Sequence, residues 1–327
     1  MRIAVIGQQA FGRSVLEAFL ERGDDVAGVF CAPEKPGAKP DPLKAAAEQH
    51  GLPLFQLASL KTEEANEALR SLNVDLLVMA YVLQFAPQSF VNIPRFGAIQ
   101  YHPSLLPKYR GPSSINWPLI KGETETGLTI FRPNDGLDEG RVILQKTVPI
   151  GPDDTVGTVY FDWLYPLGVN AMLEAADRVL SGRYGEVVQD ESRASYEGWC
   201  RDPEAEVKWH AHVDQVHNLI RGCDPAPGAW TLVLGQKVRL FDSRKHVARR
   251  FAEVVGKPGT IAAINGESIR VTVQGGSVEI FKVRIDGKAK TSAADFCKWA
   301  GLEVGASLLD AANPTGRTPA KELEPAE

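Results

Sequence analysis

Long apolar runs, paired cysteines and a surplus of positive charge are all missing from this sequence. No stretch approaches the ~20 consecutive apolar residues of a membrane span, so no membrane association is expected. The four cysteines, Cys31, Cys200, Cys223 and Cys297, stand too far apart for a CxxC zinc or redox pair and read as reduced thiols, so they imply no metal. With 36 lysines and arginines against 41 aspartates and glutamates, a net charge of -5, the chain lacks the basic excess by which a large nucleic-acid footprint displaces counterions. The opening "MRIAVIGQQ" enters a strand pattern without the charged, apolar and small-residue segments of a secretory signal, which makes a cytoplasmic protein the expectation.

What is present suffices for one large core and a smaller one: 327 residues, 44% of them hydrophobic and 24% charged. The first third alternates strands and helices. "IAVIG" reads as a buried strand, "FGRSVLEAFLERG" has apolar residues at helical spacing and stops at Gly23, and "VAGVFCA" is the next strand. The alternation continues through "PLKAAAEQHG", "LPLFQL", "EEANEALRSL", "VDLLVMA" and "GAIQYH", predicting an open, mostly parallel α/β sheet of Rossmann-like type. Gly7 and Gly12 occupy the outer positions of a GxGxxG fingerprint. The middle position is Gln9, where a glycine would let the backbone approach a pyrophosphate, and no acidic residue closes the second strand, so NAD(P) is not expected.

In such sheets ligands bind beyond the carboxyl ends of the strands. Polar or unusual residues gather there in "MAYVLQFAP", "YHPSLLPKYRG" and "RPNDGLDEG". His102 stands at the tip of an apolar strand, directly before a proline. A carboxylate that fixes an imidazole's tautomer is a common way to place a general acid or base, and the residues offer Asp138 or Asp135 as its partner. Lys108, Tyr109 and Arg110 read as an exposed turn suited to an anionic part of a ligand.

"HPSLLPKYRG" followed by "DGLDEG" resembles the folate-dependent formyltransferase family. That family includes methionyl-tRNA, glycinamide ribonucleotide and sugar formyltransferases and the hydrolase domain of 10-formyltetrahydrofolate dehydrogenase. "LQFAP", "SINW", "DDTVGTVY", "YEG" and "LIRGCDPAPGAW" are most similar to the last of these, over about residues 1–310. The resemblance implies that His102 and Asp138 are catalytic. Most members carry an asparagine two residues before the histidine; here that position is Gln100, whose amide sits one methylene further out as a third candidate. Recognition of the pterin is implied at Leu83 and Phe85 and in the loop of Asn134 and Asp138. The implied reaction removes the formyl group of 10-formyltetrahydrofolate and gives it to water or to a small-molecule or carrier acceptor, releasing tetrahydrofolate, with neither metal nor NAD(P). Methionyl-tRNA formyltransferase and a non-catalytic folate-binding or sensing protein are the alternatives. The acidic balance disfavours tRNA as partner; the acceptor, an amine or a separate carrier protein among others, is left open.

Past Ile150, "TVYFDWLYPLGVNAMLEAADRVLSG" predicts one long helix, and the charged, aperiodic stretch after it predicts a linker. "GAWTLVL", "QKVRLFDS", "GTIAAING", "SIRVTVQ" and "SVEIFKVRI" predict short strands, and the resemblance implies an OB-like β-barrel. The basic run Ser243 to Arg250 reads as a solvated strand connection. The expected organisation is a catalytic domain over 1–182, a linker over 183–204, a second domain over 205–312 and a disordered tail over 313–327.

Overall fold

Strands buried on both faces need near-continuous apolar runs, and those of the first half become the middle of a sheet. The computed structural model describes residues 1–182, 185–250 and 253–309; the expected tail over 313–327 lies outside them. β1 (Arg2–Gly7), β2 (Asp25–Cys31), β3 (Leu54–Gln56), β4 (Leu76–Ala80), β5 (Ala98–His102), β6 (Glu125–Phe131) and β7 (Val142–Pro149) form a seven-stranded sheet in the order β3-β2-β1-β4-β5-β6-β7. Pairing is parallel from β3 to β5, and β6 runs antiparallel to β5. Helices α1 (Gln9–Glu21), α2 (Pro42–Gln49), α3 (Glu63–Ser71) and α4 (Gln88–Val91) lie in the connections. The strand order reverses between β1 and β4, which makes their carboxyl ends the switch point where such sheets bind ligands.

Gly7 has a packing role here: a Cβ on it would lie 2.0 Å from the carbonyl oxygen of Ala80. The Gln9 amide that follows donates to both carboxylate oxygens of Asp41, at 3.0 and 2.9 Å. This turn is closed by the protein's own anion.

The long helix expected after Ile150 is interrupted. A single turn, α5's successor in this region, is preceded by α5 itself (Asn116–Lys121); α6 (Val156–Thr158) leads into a π-helical turn over Val159–Leu164, and only then does α7 (Tyr165–Ser181) begin. Pro166 has no N–H for the carbonyl four residues back and its ring crowds that carbonyl, so the ladder widens just ahead of it.

By contacts the chain forms two compact units that alternate along the sequence. Among the described residues, the first comprises Met1–Ser114, Thr126–Val148 and those from Phe161 to Glu197; the second comprises Ile115–Glu125, Pro149–Tyr160 and those from Gly198 onward. The stretch expected to be a linker is therefore divided: its described residues up to Glu197 belong to the first unit, where Val187 bridges to Val142 and Tyr196 to Arg110, and those from Gly198 on belong to the second. It carries no periodicity because it pairs through single bridges rather than as a strand.

In the second unit, α8 (Val213–Gly222) and α9 (Ala293–Ala300) accompany a sheet of β8 (Ala229–Val233), β9 (Gln236–Val247), β10 (Ile261–Asn265), β11 (Ser268–Val273), β12 (Gly276–Ile285) and β13 (Thr291–Ser292). Its order is β10-β11-β12-β9-β8 with β13 beside β12, and its strands pair antiparallel. Trp209, Val216, Ile220, Val271 and Val278 lie in its core. A smaller antiparallel unit thus follows the Rossmann-like one. The basic run differs from expectation: Arg244, Lys245 and His246 are strand residues of β9, opposite Glu279, Val278 and Ser277. The ladder to β12 makes it a strand and not a solvated connection, and two of its side chains are engaged across the unit: Lys245 pairs with Asp214 at 2.6 Å and His246 Nε2 lies 2.8 Å from Glu279. Among the described residues no helix is long and apolar enough to cross a membrane.

Candidate active site

Strand alternation puts Gln100 and His102 on one face of β5 and Tyr101 on the other, where its ring packs 4.4 Å from that of Phe11. His102 is 6% exposed. The loop after it is held by buried hydroxyls. Thr129 on β6 donates to the Ser104 carbonyl (2.7 Å) and accepts from the Leu106 amide (3.1 Å) and from Gln145 Nε2 (2.9 Å). Ser104 donates to the Lys108 carbonyl at 2.7 Å. The serine of this loop thus supplies a donor that its prolines cannot.

The two ring nitrogens of His102 differ. Nε2 lies 2.9 Å from the carbonyl oxygen of Tyr109. A carbonyl only accepts, so Nε2 carries the proton and Nδ1 is left with its lone pair. Nδ1 faces Asp138 Oδ2 at 3.6 Å. That oxygen also accepts the Gly111 amide at 3.0 Å. Asp138 has left-handed backbone, φ 55°, uncommon for a non-glycine residue. Two positions on, a Cβ at Gly140 would lie 1.5 Å from the Arg132 carbonyl oxygen, so the turn can close only on glycine. Asp135 is engaged elsewhere, accepting the Gln88 amide at 3.1 Å. Of the two carboxylates, Asp138 is the one that faces His102.

Arg110 corrects the reading of "KYR" as an exposed turn. Its side chain is fully buried and Tyr109 is buried as well, whereas Lys108 is exposed. The guanidinium pairs with Glu191 at 2.7 and 2.9 Å, with Gln189 Oε1 at 2.8 and 3.2 Å, and with the Tyr196 hydroxyl. The Glu191 contact is the main cause holding Arg110 above its ordinary value and Glu191 below its own. Gln189 Nε2 in turn donates to the carbonyls of Asp138 (2.8 Å) and Gly140 (2.7 Å). Sequence reasoning missed Gln189 and Thr129. For Thr129 a signal existed, a lone hydroxyl inside the apolar strand "GLTIF"; for Gln189, in an aperiodic stretch, none did.

Two family models cover most of the chain: formyl transferase over residues 1–174 and formyl transferase, C-terminal domain, over residues 201–301. The chain belongs to the formyl transferase family. The mitochondrial 10-formyltetrahydrofolate dehydrogenase of Homo sapiens is 40% identical over 248 residues, 74% of this chain, and the chain spans about a quarter (27%) of that protein's length. The methionyl-tRNA formyltransferase of Geobacter metallireducens is 35% identical over 313 residues, 94% of this chain and 98% of that one. Among solved structures, HypX from Aquifex aeolicus in complex with tetrahydrofolic acid has a TM-score of 0.66 at 21% identity, covering 92% of this chain and 47% of that one. WlaRD, a sugar 3N-formyl transferase, has 0.64 at 17% identity over 88% of this chain and 99% of that one. These two likenesses show a shared fold.

Of the remaining expected residues, Leu83, Phe85 and Asn134 sit on the loops after β4 and β6, and Gln100 on β5 itself. Leu83 and Phe85 are exposed on the loop after β4, and the ammonium of Lys61 lies 4.8 Å from the Phe85 ring centroid. Asn134 accepts the Gly136 amide at 3.1 Å and shapes the turn toward Asp138. The two loops are tied at their bases, since Gln88 also donates from Nε2 to the Pro133 carbonyl at 3.1 Å. Gln100 is partly exposed on the His102 side of β5. A cleft of about 450 Å³ lined by Arg132, Asn134 and Glu139, among others, lies on the flank of this loop and does not include His102. Among the described residues no group of three or more histidines, cysteines, aspartates and glutamates is arranged to hold a metal ion.

Proposed function

We propose that this formyl transferase removes the formyl group of 10-formyltetrahydrofolate and passes it to water or to a small-molecule or carrier acceptor, releasing tetrahydrofolate. The observation that carries this is the His102 and Asp138 pair: a buried imidazole with one nitrogen closed by a backbone carbonyl and the other facing a carboxylate. The solved relatives named for tetrahydrofolic acid and 5-N-formyl-THF support the donor class.

The nucleophile's oxygen or nitrogen attacks the formyl carbon, and the carbonyl electron pair moves onto oxygen. Asp138 takes the nucleophile's proton and passes it to the lone pair of His102 Nδ1 that faces it, and the ring so protonated stabilises the oxyanion and carries the proton toward N10. On collapse the bond from carbon to N10 breaks and N10 receives a proton. The proton lost by the nucleophile is therefore balanced by the one gained by tetrahydrofolate. The Gln100 amide is a further donor toward the formyl oxygen, while Leu83, Phe85 and the Asn134 turn wall the pterin, a flat ring read by backbone groups and covered by apolar side chains.

The test is tetrahydrofolate release from 10-formyltetrahydrofolate with water, thiols, sugar nucleotide amines or charged initiator tRNA as acceptor. Release with water or a small acceptor is expected. Donor binding without release in every arm would overturn the reading in favour of a folate-binding protein. A second reading, methionyl-tRNA formyltransferase, is favoured by one observation: the Geobacter protein aligns along nearly its whole length, the dehydrogenases along about a quarter. Release confined to the tRNA arm would establish it instead.

A further inference from the structure

Three consecutive residues on the loop after β5 hold the reacting pair. The Tyr109 carbonyl accepts His102 Nε2, and the Gly111 amide donates to the Asp138 carboxylate. Arg110, between them, reaches the same turn through Gln189: its guanidinium binds Gln189 Oε1, whose Nε2 binds the Asp138 and Gly140 carbonyls. A second strap runs from Arg110 to the Tyr196 hydroxyl, which donates to Glu139 at 2.5 Å. Asp138 is thus fixed at its carboxylate by residue 111 and at its backbone, through Gln189, by residue 110. Both attachments are needed, since a left-handed non-glycine turn persists only where its surroundings over-determine it.

We propose that Gln189, bridging Arg110 to the Asp138 turn, is a positioning residue that sets the separation of Asp138 from His102 Nδ1. The amide suits this place because one group must accept from a guanidinium and donate to two carbonyls at once, which neither carboxylate nor ammonium can do. At 6% exposure, water is a poor replacement. The inference rests on the proposed reaction for its kinetic consequence, though not for its geometry.

Gln189→Glu keeps the acceptor for Arg110 and removes the donor to the turn. Its kcat should fall on the order of 10²-fold, the cost of a displacement near 1 Å, with KM for the donor within about 2-fold of wild type and the pH profile of kcat displaced. Tyr196→Phe, which cuts only the outer strap on a half-exposed side chain, should show a smaller fall of the same kind; it serves as the probe if Gln189→Glu does not fold. A kcat per folded molecule within about 2-fold of wild type in the folded variant, accompanied only by lower thermal stability, would overturn the positioning role. If wild type releases no tetrahydrofolate with any acceptor, the proposed function fails by itself. The geometry is then read by the imidazole ¹⁵N shifts of His102, assigned by their loss in His102→Asn: a change in Gln189→Glu supports the bridge, and unchanged shifts overturn it.

Discussion

His102 in the first unit and His217 in the second share nearly every feature by which a catalytic histidine is usually sought. Both are buried, and each has a ring nitrogen 3.6 Å from an aspartate. They differ in what closes the ring. His217 donates from Nε2 to the Pro152 carbonyl and accepts at Nδ1 from the Ser243 hydroxyl, both at 3.0 Å. His102 has only Nε2 engaged in this way. Their carboxylates differ too: Asp153 is shared with Arg244 at 3.4 Å, whereas Asp138, nearly buried, is aimed by a backbone amide. A nearby aspartate therefore does not distinguish chemistry from packing; on the proposed reading, a ring nitrogen left open toward it does.

The largest effect that could break this contrast is loss of the open nitrogen. His102→Asn should lower turnover by about 10² to 10⁴-fold, the range for a positioned acid or base, with donor affinity nearly preserved in titration. Asp138→Asn should match it, and the double variant should be little worse than either single one, because groups that act as a unit are not additive. Full turnover in His102→Asn, or losses that multiply, would place His102 in the same class as His217.

The next effect is on the scaffold. Thr129→Val keeps shape but strips the hydroxyl that serves Ser104, Leu106 and Gln145 at once, leaving a buried amide and carbonyl short of partners. A loss of roughly 1 to 3 kcal/mol of stability is expected in urea denaturation. A change below a few tenths would mean that the loop holding His102 does not depend on it.

How much of this was legible beforehand follows from the range of each interaction. The parallel sheet could be read because buried strands need apolar runs, and these are local patterns. His102 could be singled out because a histidine before proline at a strand tip is locally odd. Asp138 could not be separated from Asp135 by residue type; the Gln88 amide makes that choice in space. Arg110 looked solvated because its partners, Gln189 and Glu191, lie 79 and 81 residues away. The basic run looked like a connection because charges suggest solvent, yet Lys245 and His246 meet partners 31 and 33 residues distant. The π turn was hidden in plain view at Pro166, where apolar periodicity outweighed the missing donor.

The smallest effect sharpens the contrast from the side of His217. Burial is the main cause that pulls this imidazole below its ordinary value of 6.5, with the Pro152 hydrogen bond opposing it. Between the lowered folded value and 6.5, the unfolded chain binds a proton that the folded protein refuses. Stability is therefore fully present above about pH 6.5 and declines as pH falls, by at most about 1.4 kcal/mol per pH unit for one proton. His217→Gln keeps an amide able to donate and accept but removes the titration. Per folded molecule it should turn over like wild type near neutral pH. Its urea midpoint should be lower near neutrality, since glutamine fits the site less well, and it should fall less steeply than wild type between about pH 6.5 and 5. An equal slope in both proteins would assign the acid sensitivity to other groups, and a loss of turnover would erase the distinction between a closed imidazole and an open one.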